Sequence, residues 1–129
     1  VPVEFADLAR LASQFHTHCH QMQVLKPATV LKTLEGLDAF RRPERLKKFL
    51  LVCEADARGR TGLEDRPYPQ AEMLQQCADA ARQIDVPTLL QENPVDPVPV
   101  AGEKIREMLH RARLARVRET LDRLRAATS

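Results

Sequence analysis

Three of the four histidines fall within six residues, Phe15-His16-Thr17-His18-Cys19-His20. On a helix, His16 and His20 stand one turn apart on the same side. Two imidazoles on adjacent turns are placed to bind one divalent metal, and two histidines make half of such a site. His18 falls on another side and reads as surface, while Cys19 continues the apolar line of Phe15. The plainer reading of the cluster is a polar helix edge.

A second candidate is Glu54-Ala55-Asp56-Ala57-Arg58-Gly59-Arg60-Thr61-Gly62. Here two carboxylates sit in the last turn of a helix, facing the negative end of its dipole. Arg58 and Arg60 can compensate them within a capped helix end. Alternatively, Asp56 is a metal ligand, and the two arginines with the Gly59–Gly62 backbone amides hold a phosphate. A third candidate, Gly102-Glu103-Lys104-Ile105-Arg106, opens a helix whose first amides are a potential anion site. Glu103 suits that end of the dipole equally well as an ordinary cap.

The elements that carry these groups read as all-α, a bundle of about five helices. Phe5, Leu8, Leu11, Ala12, Phe15, Cys19 and Met22 recur at three and four, one helix face. Pro27 and Pro43 occupy first-turn positions of two further helices. The first carries Val30, Leu31, Leu34 and Leu37. The second carries Leu46, Phe49, Leu50 and Cys53 and stops at Gly59. Residues 59–69 read as loop. A fourth helix over about 69–84 has Met73, Leu74, Cys77, Ala80, Ala81 and Ile84 as its stripe, and Pro87 allows one more short turn through Leu90. No period-2 strand pattern stands out.

Residues 93–101 form a proline-rich, extended connector between a body, 1–92, and a tail, 102–129. The tail is a single helix to about Ala127, about 39 Å long at 1.5 Å per residue. Its early stripe, Ile105, Met108, Leu109 and Ala112, is out of phase with the later one, Leu114, Val117, Leu121 and Leu124. The first part is expected to pack on the body. The second is expected to project or to pair with another helix, as in a homodimer.

The chain has 129 residues, 43% of them hydrophobic and 29% charged, with a net charge of +2. That composition argues against disorder. No apolar run approaches the roughly 20 residues of a membrane span, and there is no secretory leader pattern. The first residue is Val1, which suggests a processed or excised chain. Three widely spaced cysteines without a CxxC make a disulfide framework improbable and point to a reducing cytoplasm. Charge is uneven: residues 102–129 hold eight Lys or Arg against four Asp or Glu, net +4, and the remaining 101 residues are net −2. Arg41, Arg42, Arg45, Lys47 and Lys48 form a second basic cluster. Such patches engage phosphates or are simply solvated faces. With one Tyr and no Trp there is little to stack on bases, so a nucleic-acid partner would be a structured RNA bound through its backbone.

The segments Asp7-Leu8-Ala9-Arg10-Leu11 through His16, Glu54 through Gly62, Tyr68-Pro69-Gln70 and Gly102-Glu103-Lys104-Ile105-Arg106-Glu107 occur in an order that resembles the C-terminal third of bacterial CCA-adding tRNA nucleotidyltransferases. The resemblance is to the multifunctional type with an HD phosphohydrolase domain, and the run Glu54 to Gly62 is its most specific part. It implies a parent enzyme whose head adds C, C and A to tRNA 3′ ends from CTP and ATP with Mg²⁺. It also implies an HD-like site able to take Ni²⁺ or another divalent metal, with His16 matching one of the family's later histidines; the ligands expected in this chain are His16, His20 and Asp56. Thr17 departs from the Asp that often follows the family's matching histidine.

The resemblance further implies that the head and its catalytic residues are absent from this chain, which by itself is not expected to extend tRNA. What is present would be the tRNA-binding body and tail, with Arg58 and Arg60 in the glycine loop, Arg41 and Arg42, and a subset of Arg111, Arg113, Arg116 and Arg118 on the last helix. Of these, Arg111 and Arg118 share one side about 10 Å apart along the axis. An incomplete phosphohydrolase lobe and a stand-alone helical adaptor are the alternatives.

Overall fold

The computed structural model describes residues 3–59, 62, 64–92 and 101–128. Arg60 and most of the proline-rich connector, residues 93–100, lie outside them. Among the described residues there are six helices and no strand: α1 (Val3–His20), α2 (Pro27–Gly36), α3 (Pro43–Arg58), α4 (Pro69–Arg82), α5 (Val86–Glu92) and α6 (Ala101–Thr128). None is long and apolar enough to cross a membrane.

Prolines start three of these helices, as their positions predict. Pro27, Pro43 and Pro69 each sit in the first turn, where a missing N–H costs nothing. Helix α2 ends in a Schellman motif. Ala39 N–H donates to Leu34 O and Asp38 N–H to Glu35 O, both at 3.0 Å. Asp38 takes the left-handed conformation (φ 55°) more often given to glycine. Gly36 serves a different need: a Cβ there would lie 2.5 Å from the tip of the Phe15 ring. Gly59 ends α3 without left-handed geometry (φ −70°), its N–H donating to Ala55 O.

The two principal seams are α4 against α6 and α1 against α3, with α2 also packed on α6. Their shared core takes Leu11, Phe15, Cys19 and Met22 from α1, Val30, Leu31 and Leu34 from α2, and Leu46, Phe49 and Cys53 from α3. Met73, Leu74, Cys77 and Ala81 come from α4, and Val117 and Leu121 from α6. The α1 stripe is covered only from Leu8 onward, leaving Phe5 at the first turn 65% exposed.

Helix α6 reverses the sequence-based expectation. Its later stripe is the buried one. Val117, Thr120 and Leu121 are enclosed, and Leu114 and Leu124 pack on the core. The early stripe, Ile105 to Ala112, is only half-buried. The reason lies at the helix end, where Arg125 donates to Met22 O at 2.8 Å and Leu25 O at 2.6 Å, tying the last turn to the α1–α2 loop. The later stripe is thereby used within the chain, which removes it as a free seam for a second copy.

Candidate phosphate-binding cleft

The histidine end of α1 meets the last turn of α3 and the segment entering α4. His16 Nδ1 donates to Ala12 O at 2.8 Å, back into its own helix, which in the neutral ring puts the lone pair on Nε2. The His20 ring stands edge-on to it, 5.7 Å between centroids. His20 Nε2 lies 2.9 Å from Asp56 Oδ2, and its Nδ1 lies 2.7 Å from the Tyr68 hydroxyl. Tyr68 in turn donates to Cys19 Sγ at 3.3 Å. Gln70 Nε2 donates to the carbonyl of His20 at 3.2 Å.

The three residues expected as metal ligands, His16, His20 and Asp56, are thus brought to one corner, His20 and Asp56 within the hydrogen-bonded chain and His16 against it by its ring. Both ring nitrogens of His20 have protein partners. Among the described residues, no group of three or more His, Cys, Asp or Glu side chains is disposed to hold a metal ion. His18 is not a surface residue: its Nδ1 lies 3.1 Å from Thr33 Oγ1, and Thr33 donates back to Thr29 O. That pairing allows the buried Thr33 hydroxyl to sit between α1 and α2.

Behind this chain lie two sulfurs. Cys19 on α1 and Cys53 on α3 are both fully buried and both free thiols. The hydrogen bond from Cys53 lowers the pKa of the Cys19 thiol, burial opposes the change, and the Tyr68 hydroxyl adds to the lowering. Donating that bond, together with burial, pushes the Cys53 thiol up. Burial first, and then the bond to Cys19, does the same to the Tyr68 hydroxyl.

In front of the chain opens a cleft of about 390 Å³, lined by His16, His20, Arg58, Arg66, Tyr68 and Gln70 among others, with no carboxylate among its described lining residues. Arg58 is braced from behind, Nε donating to Arg66 O at 3.2 Å and Nη2 lying 3.4 Å from Glu54 Oε1. Arg58 therefore acts as the compensating partner that Glu54, near the negative end of the helix dipole, requires. The Gln70 Oε1 atom is buried and unpaired within the protein. Arg66 joins the site from a loop where sequence periodicity carries no signal. Two arginines in its wall, with Glu54 bracing Arg58 and Asp56 held beside His20, make this concavity suited to an anion.

The other arginines separate by environment. The guanidinium of Arg113 lies 4.3 Å from the centre of the Phe40 ring, and burial lowers its pKa. It is half-buried and committed to the fold. Its stacking brings α6 beside the α2–α3 turn, so the exposed Arg41 and Arg42 share a neighbourhood with the front of α6. Arg42 is paired loosely with Asp38 at 3.7 Å. Arg111 and Arg118 are both exposed. The groove beside Arg111 is charge-balanced, with Arg106, Arg111 and Arg113 facing Glu35, Glu103 and Glu107.

The chain is similar to proteins named Multifunctional CCA protein. It is 54% identical to that of Alcanivorax borkumensis over 107 residues, 83% of this chain and 26% of the relative. It is 45% identical to that of Thioalkalivibrio sulfidiphilus over 119 residues, 92% of this chain and 28% of the relative. It is 46% identical to that of Ectopseudomonas mendocina over 113 residues, 88% of this chain and 26% of the relative. The chain thus spans about a quarter of the length of these curated relatives. No protein-family model matches it, and no solved structure does.

Proposed function

The chain belongs, as a C-terminal part, to the family of the multifunctional CCA proteins, and from that premise we propose that it is the tRNA-binding body and tail of a CCA-adding tRNA nucleotidyltransferase. In this reading the parent works in the cytoplasm and adds CCA to tRNA 3′ ends from CTP and ATP. Its Mg²⁺-dependent head lies outside this chain, and the chain alone is inactive in nucleotide addition. The body is residues 1–92, the connector 93–101 and the tail 102–129.

The observation that supports the tRNA-binding role is the cleft with Arg58 and Arg66 in its wall and no carboxylate among its described lining residues. Each guanidinium offers a planar fork of donors that suits a phosphate. Arg60, which lies outside the described residues, is proposed as a further phosphate contact. Arg41, Arg42, Arg111 and Arg118 supply a second, solvent-facing set of cations. Scarce aromatic side chains leave backbone contact as the main source of affinity.

The test is tRNA binding measured across salt concentrations, with the wild type, an Arg58→Ala/Arg66→Ala chain and an Arg111→Ala/Arg118→Ala chain. Each phosphate contact removed should flatten the slope of log affinity against log salt by roughly 0.7–0.9. Both double variants should weaken binding to tRNA of any sequence. If both keep wild-type affinity and slope, the reading is wrong.

The second reading, an HD-type phosphohydrolase lobe, is supported by the meeting of His16, His20 and Asp56 at one corner. In it, His16 Nε2 is the atom left to bind Ni²⁺ or a similar ion, and further ligands come from elsewhere in the parent. Metal affinity of the chain should then be weak and should fall in His16→Ala by calorimetry. Equal affinity in both would remove His16 from the ligand set.

A further inference from the structure

We propose that the outer face of α3, formed by Leu51, Val52 and Ala55, is a docking surface for an amphipathic helix from the remainder of the parent polypeptide. Among the described residues, the large apolar side chains left in water are Phe5, Val24, Leu51 and Val52. Two of these four are neighbours on α3, Leu51 at 66% exposure and Val52 at 39%. Ala55 is exposed as well. It stands one turn further on, four residues from Leu51 and three from Val52, so the three make one continuous strip. The inward side of the same helix, Leu46, Phe49, Leu50 and Cys53, is already buried where α3 packs on α1 and α4. Helix α3 is therefore apolar on two sides, and the fold within this chain uses one of them.

Beside the strip, between α3 and α4, runs a groove of about 290 Å³ lined by Leu50, Leu51 and Ala71, with Lys47, Glu54 and Glu72 among its polar residues. A contiguous apolar strip with a charged rim marks a contact surface, where single scattered apolar residues do not. The rim charges are ordered. Lys47 and Lys48 stand one turn before Leu51 and Val52, toward the start of α3, and both are exposed. Glu54 and Glu72 lie along the groove. The matching partner is a helix with apolar residues at spacings of three and four, an acidic group at the lysine end and a basic group beside the glutamates.

The size of the surface identifies where that helix comes from. Two separate proteins in a stable complex each bury roughly 800 Å². Three side chains and one narrow groove offer a fraction of that. A tethered segment needs less, because it meets the face at an effective concentration of about millimolar. The family supplies such a segment. The matched stretch is 26–28% of the length of three relatives, so about three quarters of each polypeptide lies beyond it. A second copy of this chain would meet the same small area without a tether. The proposal rests on family membership and not on whether the cleft binds RNA.

The test compares the parent polypeptide and the 129-residue chain, each carrying Leu51→Cys, under native conditions with folding monitored by circular dichroism. Maleimide labelling of residue 51 is followed by peptide mapping, which separates it from Cys19, Cys53 and Cys77, all buried. Full labelling in urea confirms that the introduced thiol is intact in both proteins. Residue 51 should be labelled at least tenfold more slowly in the parent than in the chain, by the same factor at every protein concentration. Equal labelling rates in the two proteins would overturn the proposal. Slow labelling that is lost on dilution would overturn it too, since the cover would then be a second copy.

Discussion

The two halves of α6 share one helix and similar apolar content, yet they do different work. From Leu114 to Arg125 the helix is part of the core, with Val117 and Leu121 fully enclosed and Arg125 fastened to the α1–α2 loop. From Gly102 to Arg113 it passes the end of α2, and the short α5, which buries none of its own residues, faces it only from about Ala112 onward. There its contacts are an Arg113–Phe40 stack and a His110–Glu35 pair at 3.5 Å. An apolar stripe is buried where a broad partner exists to cover it. α4 is such a partner and α5 is not. The front half is consequently the part whose charges remain available to a ligand, while the back half holds it in place.

The largest expected contrast is in packing. Leu121→Ala should cost about 2–5 kcal/mol, because it opens a cavity between α6 and α4. Leu109→Ala, at a half-buried front position, should cost about 1 kcal/mol or less for the smaller area returned to water. Urea denaturation of both variants checks this, and equal losses would break the distinction between the halves.

A smaller contrast concerns arginines. Arg125→Met leaves the carbonyls of Met22 and Leu25 without their donor and should destabilise by about 1–3 kcal/mol. Arg111→Met, at an exposed position, should stay within about 0.5 kcal/mol of the wild type. Thermal melts distinguish the two. A neutral Arg125 variant would mean that something other than this clamp registers the back half.

The smallest effect belongs to α5. Thr88 N–H donates to Asp85 Oδ1 at 2.7 Å, capping the helix. That backbone bond, and then the Thr88 hydroxyl, hold the Asp85 carboxyl below its ordinary value of 3.8. A carboxyl with a depressed folded pKa contributes fully above its unfolded value and loses that contribution as pH falls through the folded one. The Thr88 amide resonance should therefore titrate with a midpoint below 3.8. A midpoint at or above that value would show that α5 is not capped in solution, and the front half would be thinner still.

Much of this molecule is written locally. Prolines in first turns, apolar residues at three and four, and Gly59 after α3 act within one or two helical turns, so helix identities and most of the core are legible without a fold. The adjacency of His16 and His20 is legible for the same reason, since one turn of helix sets it. What lies across helices is not. The bond from His20 to Tyr68 joins residues 48 positions apart, and that from His20 to Asp56 spans 36. The recruitment of Arg66 to the cleft and the withdrawal of Arg113 onto Phe40 likewise leave no periodic trace. Sequence spacing specifies which residues share a face. Which face is covered, and by what, depends on how all six helices settle together. The burial of the later stripe of α6 was therefore decided by α4 and the Arg125 clamp, not by the stripe itself.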